Sequence, residues 1–467
     1  SANTYTITAT ATANASDTGN GGGSVTAKYQ ITTGDAISVP STGWGGGSWG
    51  SGVWGTGGTT ATPMRLWSQS NFGEDLIFGP RGGAIYYWDV GTGTSARAVN
   101  ISTLGGASDT PTIQNFILVS DINRFVFAFG ANTISTSTQD PMLIRWSDQE
   151  DAANWTPSAT NQAGSLRLSR GTEIITARLS RPGVLGWTAS SLYSLQYLGG
   201  QAVWGAQLVG DNISIASQNS VAYASGASFW MGRDKFYMYD GRTQPLPCDL
   251  RRYVFNDFNE AQIDQAFAGT NEEFHEIWWF YCSSGSTTVD RYVVYNYLDK
   301  VWYYGNLART AWLDSGMRQY PLAATYTYNL VNHEEGIDDN ETATTAAIDA
   351  FITSSEFDLD DGQRFAFIWR VLPDMTFDGS TASSPAATMT FYPLKNSGSG
   401  YTSPASAGGT STGTVTRTST VPVEVFTEQV DTRVRGRQLA LKISSDAVGV
   451  QWQLGSPRLD MRPDGRR

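Results

Sequence analysis

The 467-residue chain is rich in glycine (50 residues) and aromatics (12%) and poor in charge, with 16% Asp, Glu, Lys and Arg where ~25% is usual. So many aromatics exclude a disordered chain, and the dominance of Gly, Thr, Ser and aromatics over helix formers excludes a helical bundle. The net charge of −12 argues against general affinity for nucleic acid, which rests on Lys and Arg neutralising phosphates. No run of ~18 apolar residues is available for a membrane span.

Ser1-Ala2-Asn3-Thr4 carries neither the basic nor the apolar region of a signal peptide. Strands are predicted at Tyr5–Ala13 and Val25–Thr32 around Gly21-Gly22-Gly23, so the chain is expected to begin inside a longer product. Trp44, Trp49 and Trp54 follow at five-residue spacing, each next to glycine. They fit either packing anchors for a loop or a sugar-stacking surface.

Between about residues 64 and 340 a pattern recurs of apolar strand, polar turn and aromatic strand. It is read at Asp75–Trp88, Phe125–Trp146, Val184–Tyr197, Ser228–Tyr239, Glu276–Tyr295 and Leu322–His333. The turns lie roughly 40–55 residues apart, the spacing of propeller blades. Such hairpins can bury an aromatic face only if neighbours stack on them. Helix is expected only at Glu260–Phe267, capped by Asn259, and less clearly at Ala343–Phe351. Strands are predicted again at Phe365–Val371, Ala387–Pro393, Val421–Gln429, Gln438–Ser444 and Val448–Gln453, with a loop at Ser397–Ser419. The reading is an all-β chain: an N-terminal Gly/Trp-rich segment (1–63), a β-propeller-like ring of short antiparallel sheets with about six blades (64–350), and a β-sandwich domain (351–467).

Groups suited to catalysis are sparse. The two histidines, His275 and His333, stand in no zinc-type spacing with Cys248 and Cys282, which read as packed, unbridged thiols. The acidic runs His333–Glu341 and Asp358–Gly362 lack the fixed spacing of a calcium loop and read first as solvated turns. Asp148, Glu150 and Asp151, between Trp146 and Trp155, are the carboxylates a glycoside hydrolase would use. They depart from the sialidase-blade turn Ser-x-Asp-x-Gly-x-x-Trp, because position 151 is Asp. No catalytic, cofactor or metal site is therefore assigned. Residues 431–467 carry eight Arg or Lys against four Asp, a net of +4. Arg433, Arg435 and Arg437 alternate and so share a strand face. That face is either a solvated ion-pair surface or a contact for the acidic surface of a neighbouring subunit.

Four stretches resemble the tail nozzle, or second tail tubular protein, family of short-tailed bacteriophages of the marine type. They are Arg65-Leu66-Trp67 through Asn71-Phe72-Gly73-Glu74-Asp75-Leu76 to Pro80-Arg81-Gly82-Gly83; Arg145-Trp146-Ser147-Asp148 through Asn154-Trp155-Thr156-Pro157; Phe229–Phe236; and Gly455–Arg467. The resemblance implies a virion structural protein without enzymatic activity, assembled in the host cytoplasm as a homo-hexameric tube. Such a tube lies below the portal and head-to-tail adaptor, conducts phage DNA without sequence-specific binding, and anchors tail fibres or a needle protein. Arg433, Arg435, Arg437, Arg462, Arg466 and Arg467 are then expected near subunit boundaries. The alternatives are a receptor- or glycan-binding tail adhesin using Trp44, Trp49 and Trp54, and a glycan depolymerase using Asp148, Glu150 or Asp151.

Overall fold

The structure, a computed structural model, describes residues 35–39 and 63–465 apart from 95, 121–122, 182, 201, 360–361 and 397–417. The early strands, the three spaced tryptophans and Arg466 and Arg467 lie outside the described residues. Among the described residues, strand accounts for 47% and helix for 5%. The chain divides into two compact units, Ser1–Leu307 and Ala308–Arg467.

The first unit is a propeller-like series of five four-stranded antiparallel sheets, each joining strands adjacent in sequence. Sheet one is β1 (Trp67–Phe72), β2 (Asp75–Pro80), β3 (Tyr86–Trp88) and β4 (Val99–Asn100). Sheet two is β5 (Phe116–Val119), β6 (Val126–Phe129), β7 (Leu143–Trp146) and β8 (Gly164–Arg167). Sheet three is β9 (Ile174–Ser180), β10 (Gly183–Thr188), β11 (Ser191–Tyr197) and β12 (Trp204–Asp211). Sheet four is β13 (Val221–Ala224), β14 (Ala227–Met231), β15 (Phe236–Tyr239) and β16 (Thr243–Leu246). Sheet five is β17 (Phe267–Asn271), β18 (Glu276–Tyr281), β19 (Arg291–Asn296) and β20 (Val301–Asn306). Five of the six predicted hairpins are the central pairs of these sheets. The turn between β13 and β14 shows why the chain reverses there: Ser225 (φ 50°) and Gly226 (φ 82°) both take positive φ, the two-residue reversal that matches strand twist.

Because side chains alternate across a strand, a sheet covered on both sides needs apolar residues at every position. β5 meets this requirement with Phe-Ile-Leu-Val, all four buried. Ile117 and Val119 pack with Ile77, Ile85 and Ile101 of the first sheet's region. Phe116 and Leu118 face the other way, into a cluster with Ile174, Val184, Tyr193, Leu195 and Trp204. The series continues with Leu185, Trp187 and Leu192 against Val221, Trp230 and Tyr237, then with Phe229, Met231 and Phe236 against Ile277, Trp279 and Val293. Polar groups reinforce the joints: the Ser68 and Ser70 hydroxyls accept the amides of Ile117 (3.0 Å) and Val119 (3.1 Å).

The second unit begins with a three-stranded sheet, β21 (Ala311–Leu313), β22 (Leu322–Ala324) and β23 (Leu330–Asn332). This contains the sixth predicted hairpin, so the division falls ahead of residue 350. Next come β24 (Ala350–Thr353), β25 (Phe357–Asp358), β26 (Ala366–Leu372), β27 (Met375–Thr376), β28 (Ala386–Leu394) and β29 (Ser419–Glu424). β30 (Val430–Gly436), β31 (Gln438–Ser445), β32 (Gln453–Leu454) and β33 (Arg458–Pro463) complete the chain. A five-stranded sheet, β24-β31-β28-β29 with β25 also on β31, and the three-stranded sheet β30-β26-β33 both contribute to one apolar cluster. Ile443, Met389 and Phe391 come from the first sheet, Ala366, Ile368, Val430 and Val434 from the second.

Three local expectations are corrected. Glu260–Gln265 is a 3-10 helix capped by Asn259, and Phe267 already starts β17. Ala343–Phe351 is not helical, its end lying in β24. Val448–Gln453 is interrupted where Gly449 takes φ 77°, leaving the two-residue β32. The α-helix Arg251–Asn256 was not foreseen, because its cap, Leu250, makes no side-chain capping bond.

Arg145 tests the packing between the first two sheets. Its side chain is fully buried and bonds Asp109 Oδ2 at 2.7 Å and the Asp109 carbonyl at 2.6 Å. Arg145→Met should lower unfolding free energy by roughly 3 kcal/mol by stranding Asp109, and Asp109→Asn in the same chain should recover part of it. Urea unfolding of Arg145→Met within ~0.5 kcal/mol of wild type would contradict this role.

Candidate functional site

The stretches most suggestive of function are architectural. Around Asp148 the chain folds on itself. Its carboxylate accepts the amides of Gln149 (2.9 Å) and Gln162 (2.8 Å), and its own amide donates to the Asn154 carbonyl at 2.8 Å. Asp151 accepts the Ala153 amide at 2.8 Å, and Trp155 is buried with its indole N–H on the Ala152 carbonyl. The first stretch is used similarly. The Arg81 amide donates to Leu66 O, its guanidinium pairs with Asp264 at 2.7 Å, and Gly82 N–H donates to Gln114 O. In the third, the Arg233 amide donates to Ser214 Oγ at 3.0 Å.

All five sheets or their flanking loops meet at one small cavity of about 110 Å³, lined among others by Arg81, Asn115, Glu173, Ile215, Arg233 and Asp264. A ligand pocket normally needs ~300 Å³ or more, so the cavity has room for a few waters. On β9, Arg178 donates to the Gln218 carbonyl at 3.2 Å and lies 5.2 Å from the Phe116 ring centre. Burial without a carboxylate partner among the described residues pulls its pKa down to about 10, which leaves it charged at neutral pH.

The cysteines are unbridged, and burial pushes both thiols up to about 12, far from nucleophilic thiolates. His275 is an exposed turn residue (φ 59°) with Nδ1 3.3 Å from the Tyr297 hydroxyl. His333 sits in a polar knot. Arg309 Nε donates to its Nε2 at 2.9 Å, Arg309 Nη1 bonds Glu341 at 2.9 Å, and Trp312 packs on the imidazole. Asp338 accepts the Gly449 amide at 2.7 Å. The predicted acidic loop therefore organises the fold around it. Asp358 likewise accepts from Gln438 Nε2 at 2.8 Å. Among the described residues, no group of three or more His, Cys, Asp or Glu could hold a metal ion, and no helix is long and apolar enough to cross a membrane.

The strongest surface feature is the outer face of the β30-β26-β33 sheet. Alternation places Arg433 and Arg435 outward on β30, with Val430, Thr432 and Val434 inward. Arg462 lies across the sheet on β33. Phe367 of β26 is in register with Arg435 on one side and Arg462 on the other. The guanidinium of Arg435 lies 4.1 Å, and that of Arg437 4.9 Å, from the Phe365 ring centre, while that of Arg462 lies 5.1 Å from Phe367. A bulge between Ile368 and Arg370 turns both Trp369 and Arg370 toward solvent, 4.7 Å apart. Sequence alternation found Arg433 and Arg435, whereas Arg437, expected on the same strand, lies in the bend between β30 and β31. The aromatic partners were missed because β26 pairs with strands some 60 to 90 residues away.

No protein-family model and no curated protein matches this chain. Solved structures with detectable likeness include YCF48 bound to D1 peptide (10% identity, 56% of this chain and 75% of that one, TM-score 0.33). Others are the AfRom2 CNH domain (12%, 61% and 84%, 0.33) and an exo-β-1,3-galactanase from Phanerochaete chrysosporium with β-1,3-galactotriose (8%, 86% and 97%, 0.27). At these scores the likenesses carry no argument about what this chain does.

The His333 knot makes a pH prediction. Burial, then the Arg309 charge, lowers the His333 pKa to about 4 from 6.5. Between those values the unfolded chain binds a proton that the folded chain does not, so stability falls as pH drops through the window and levels off below it. Hydrogen exchange of β21–β23 amides should show this loss, and His333→Gln should flatten it. An unchanged pH slope in His333→Gln would remove His333 from the account.

Proposed function

We propose that this chain is a structural subunit of the tail of a short-tailed bacteriophage, of the nozzle type. In this reading six copies surround a channel that passes DNA beneath the head-to-tail adaptor and offer attachment to fibres or a needle, and the chain carries no catalysis of its own. Its sequence support is the resemblance of the four stretches. The observation that carries it is how the side chains are deployed. Asp148, Asp151, Glu341 and Asp338 hold turns and joints. The second unit offers large apolar groups to solvent, with Met317 97%, Tyr328 98% and Phe426 91% exposed, in addition to the arginine-aromatic face. Exposed apolar groups with Arg and aromatics are the composition of protein contacts rather than of a catalytic cleft.

The reading predicts six (or twelve) copies per particle by quantitative protein analysis, with antibody labelling confined to the tail. It also predicts that purified protein releases no reducing sugar from host envelope polysaccharide. Three copies per particle would favour an adhesin. Sugar release abolished by Asp148→Asn or Glu150→Gln would replace the structural reading with a depolymerase.

A further inference from the structure

We infer that the outer face of the β30-β26-β33 sheet docks onto an acidic surface of a second copy of this chain, in a head-to-tail contact. The inner face of that sheet is committed to the apolar cluster, so only the outer face is available. Its Trp369 is 41% exposed, and Arg and Trp are residue types enriched at protein interfaces. Stacking on Phe365, Phe367 and Trp369 holds the guanidinium groups of Arg435, Arg437, Arg462 and Arg370 in place, which reduces the side-chain entropy lost on binding, and leaves N–H edges to meet carboxylates bidentately.

The charges on the face are only partly balanced within it. Arg435 pairs with Asp464, and Arg370 with Asp460. Arg433 and Arg462 make no ion pair with a carboxylate among the described residues. The chain as a whole carries −12, so another copy supplies the complementary sign. The same excess of arginine opposes pairing of this face with itself. A symmetric dimer through it is therefore disfavoured, and the contact must join different surfaces, which propagates until a ring closes. This deepens the proposed function by naming the surface through which copies associate, and it rests on the reading that the chain works in several copies.

The test uses the full chain, with sedimentation velocity and native mass spectrometry at about 100 µM, where even a weak contact is populated. Wild type should associate beyond a dimer, and less so as salt rises. Arg433→Glu with Arg462→Glu should weaken association by roughly 100-fold or more with an unchanged thermal midpoint. Arg433→Lys with Arg462→Lys, which keeps the charge, should lie between. If wild type associates and the Glu variant associates equally, the face is wrongly assigned while the multi-copy reading stands. Monomeric wild type, or binding of a single-stranded oligonucleotide at this face in place of self-association, would overturn the choice of partner. Antibody labelling of the particle decides the tail reading independently of all three.

Discussion

A short strand that is apolar on both faces cannot stand in water, and the core strands of the first unit are of that kind. The buried runs Phe-Ile-Leu-Val in β5, Val-Phe-Ala-Phe in β6 and Glu-Ile-Trp-Trp-Phe-Tyr in β18 have no solvent side. Each sheet is therefore stable only when the next covers it, and the chain supplies covers in sequence order. Trp187 of sheet three packs edge-on to Trp230 of sheet four at 5.5 Å, and Trp279 of sheet five lies 4.8 Å from Phe236 of sheet four. The high aromatic content and the low charge follow from this arrangement, since few positions remain where a charged side chain could reach water.

The charges that do occur near these joints are placed where backbone changes direction. Arg145 ties the Asp109 loop, Arg81 joins the first sheet to the turn before the fifth, and Arg178 spans from Phe116 to the Gln218 carbonyl. In the second unit, Arg309 with His333 and Glu341 plays the same part. A buried arginine offers five donors in a rigid fork, so one side chain can satisfy several loop carbonyls that no strand partner reaches. For that reason motifs such as Arg-Trp-Ser-Asp look like functional signatures in sequence and turn out to be joints.

The hairpins were legible because each is local: a polar turn between two runs rich in aromatics needs no distant partner to be recognised. Pairings across long separations were not. β26 joins β30 and β33, and β24 joins β31, and nothing in local alternation shows which strands will meet. β33 was overlooked for the same reason, and the 343–351 segment was misread because its alanines suit a helix while β31 recruits its end as an edge strand. The candidate surface was half legible. Alternation fixed Arg433 and Arg435 on one face, whereas Phe367 between Arg435 and Arg462 arises from register alone.

The exposed arginine-aromatic face of the second unit is what connects the fold to the proposed assembly. A side-chain-resolution electron cryomicroscopy map of the intact particle tests it most directly. The account predicts this chain in a closed six-copy ring of the tail, with Arg433 and Arg462 within salt-bridge distance, about 4 Å, of carboxylates on the adjacent copy. A map in which the chain lies outside the tail, or in which that face is open to solvent in every copy, would contradict it.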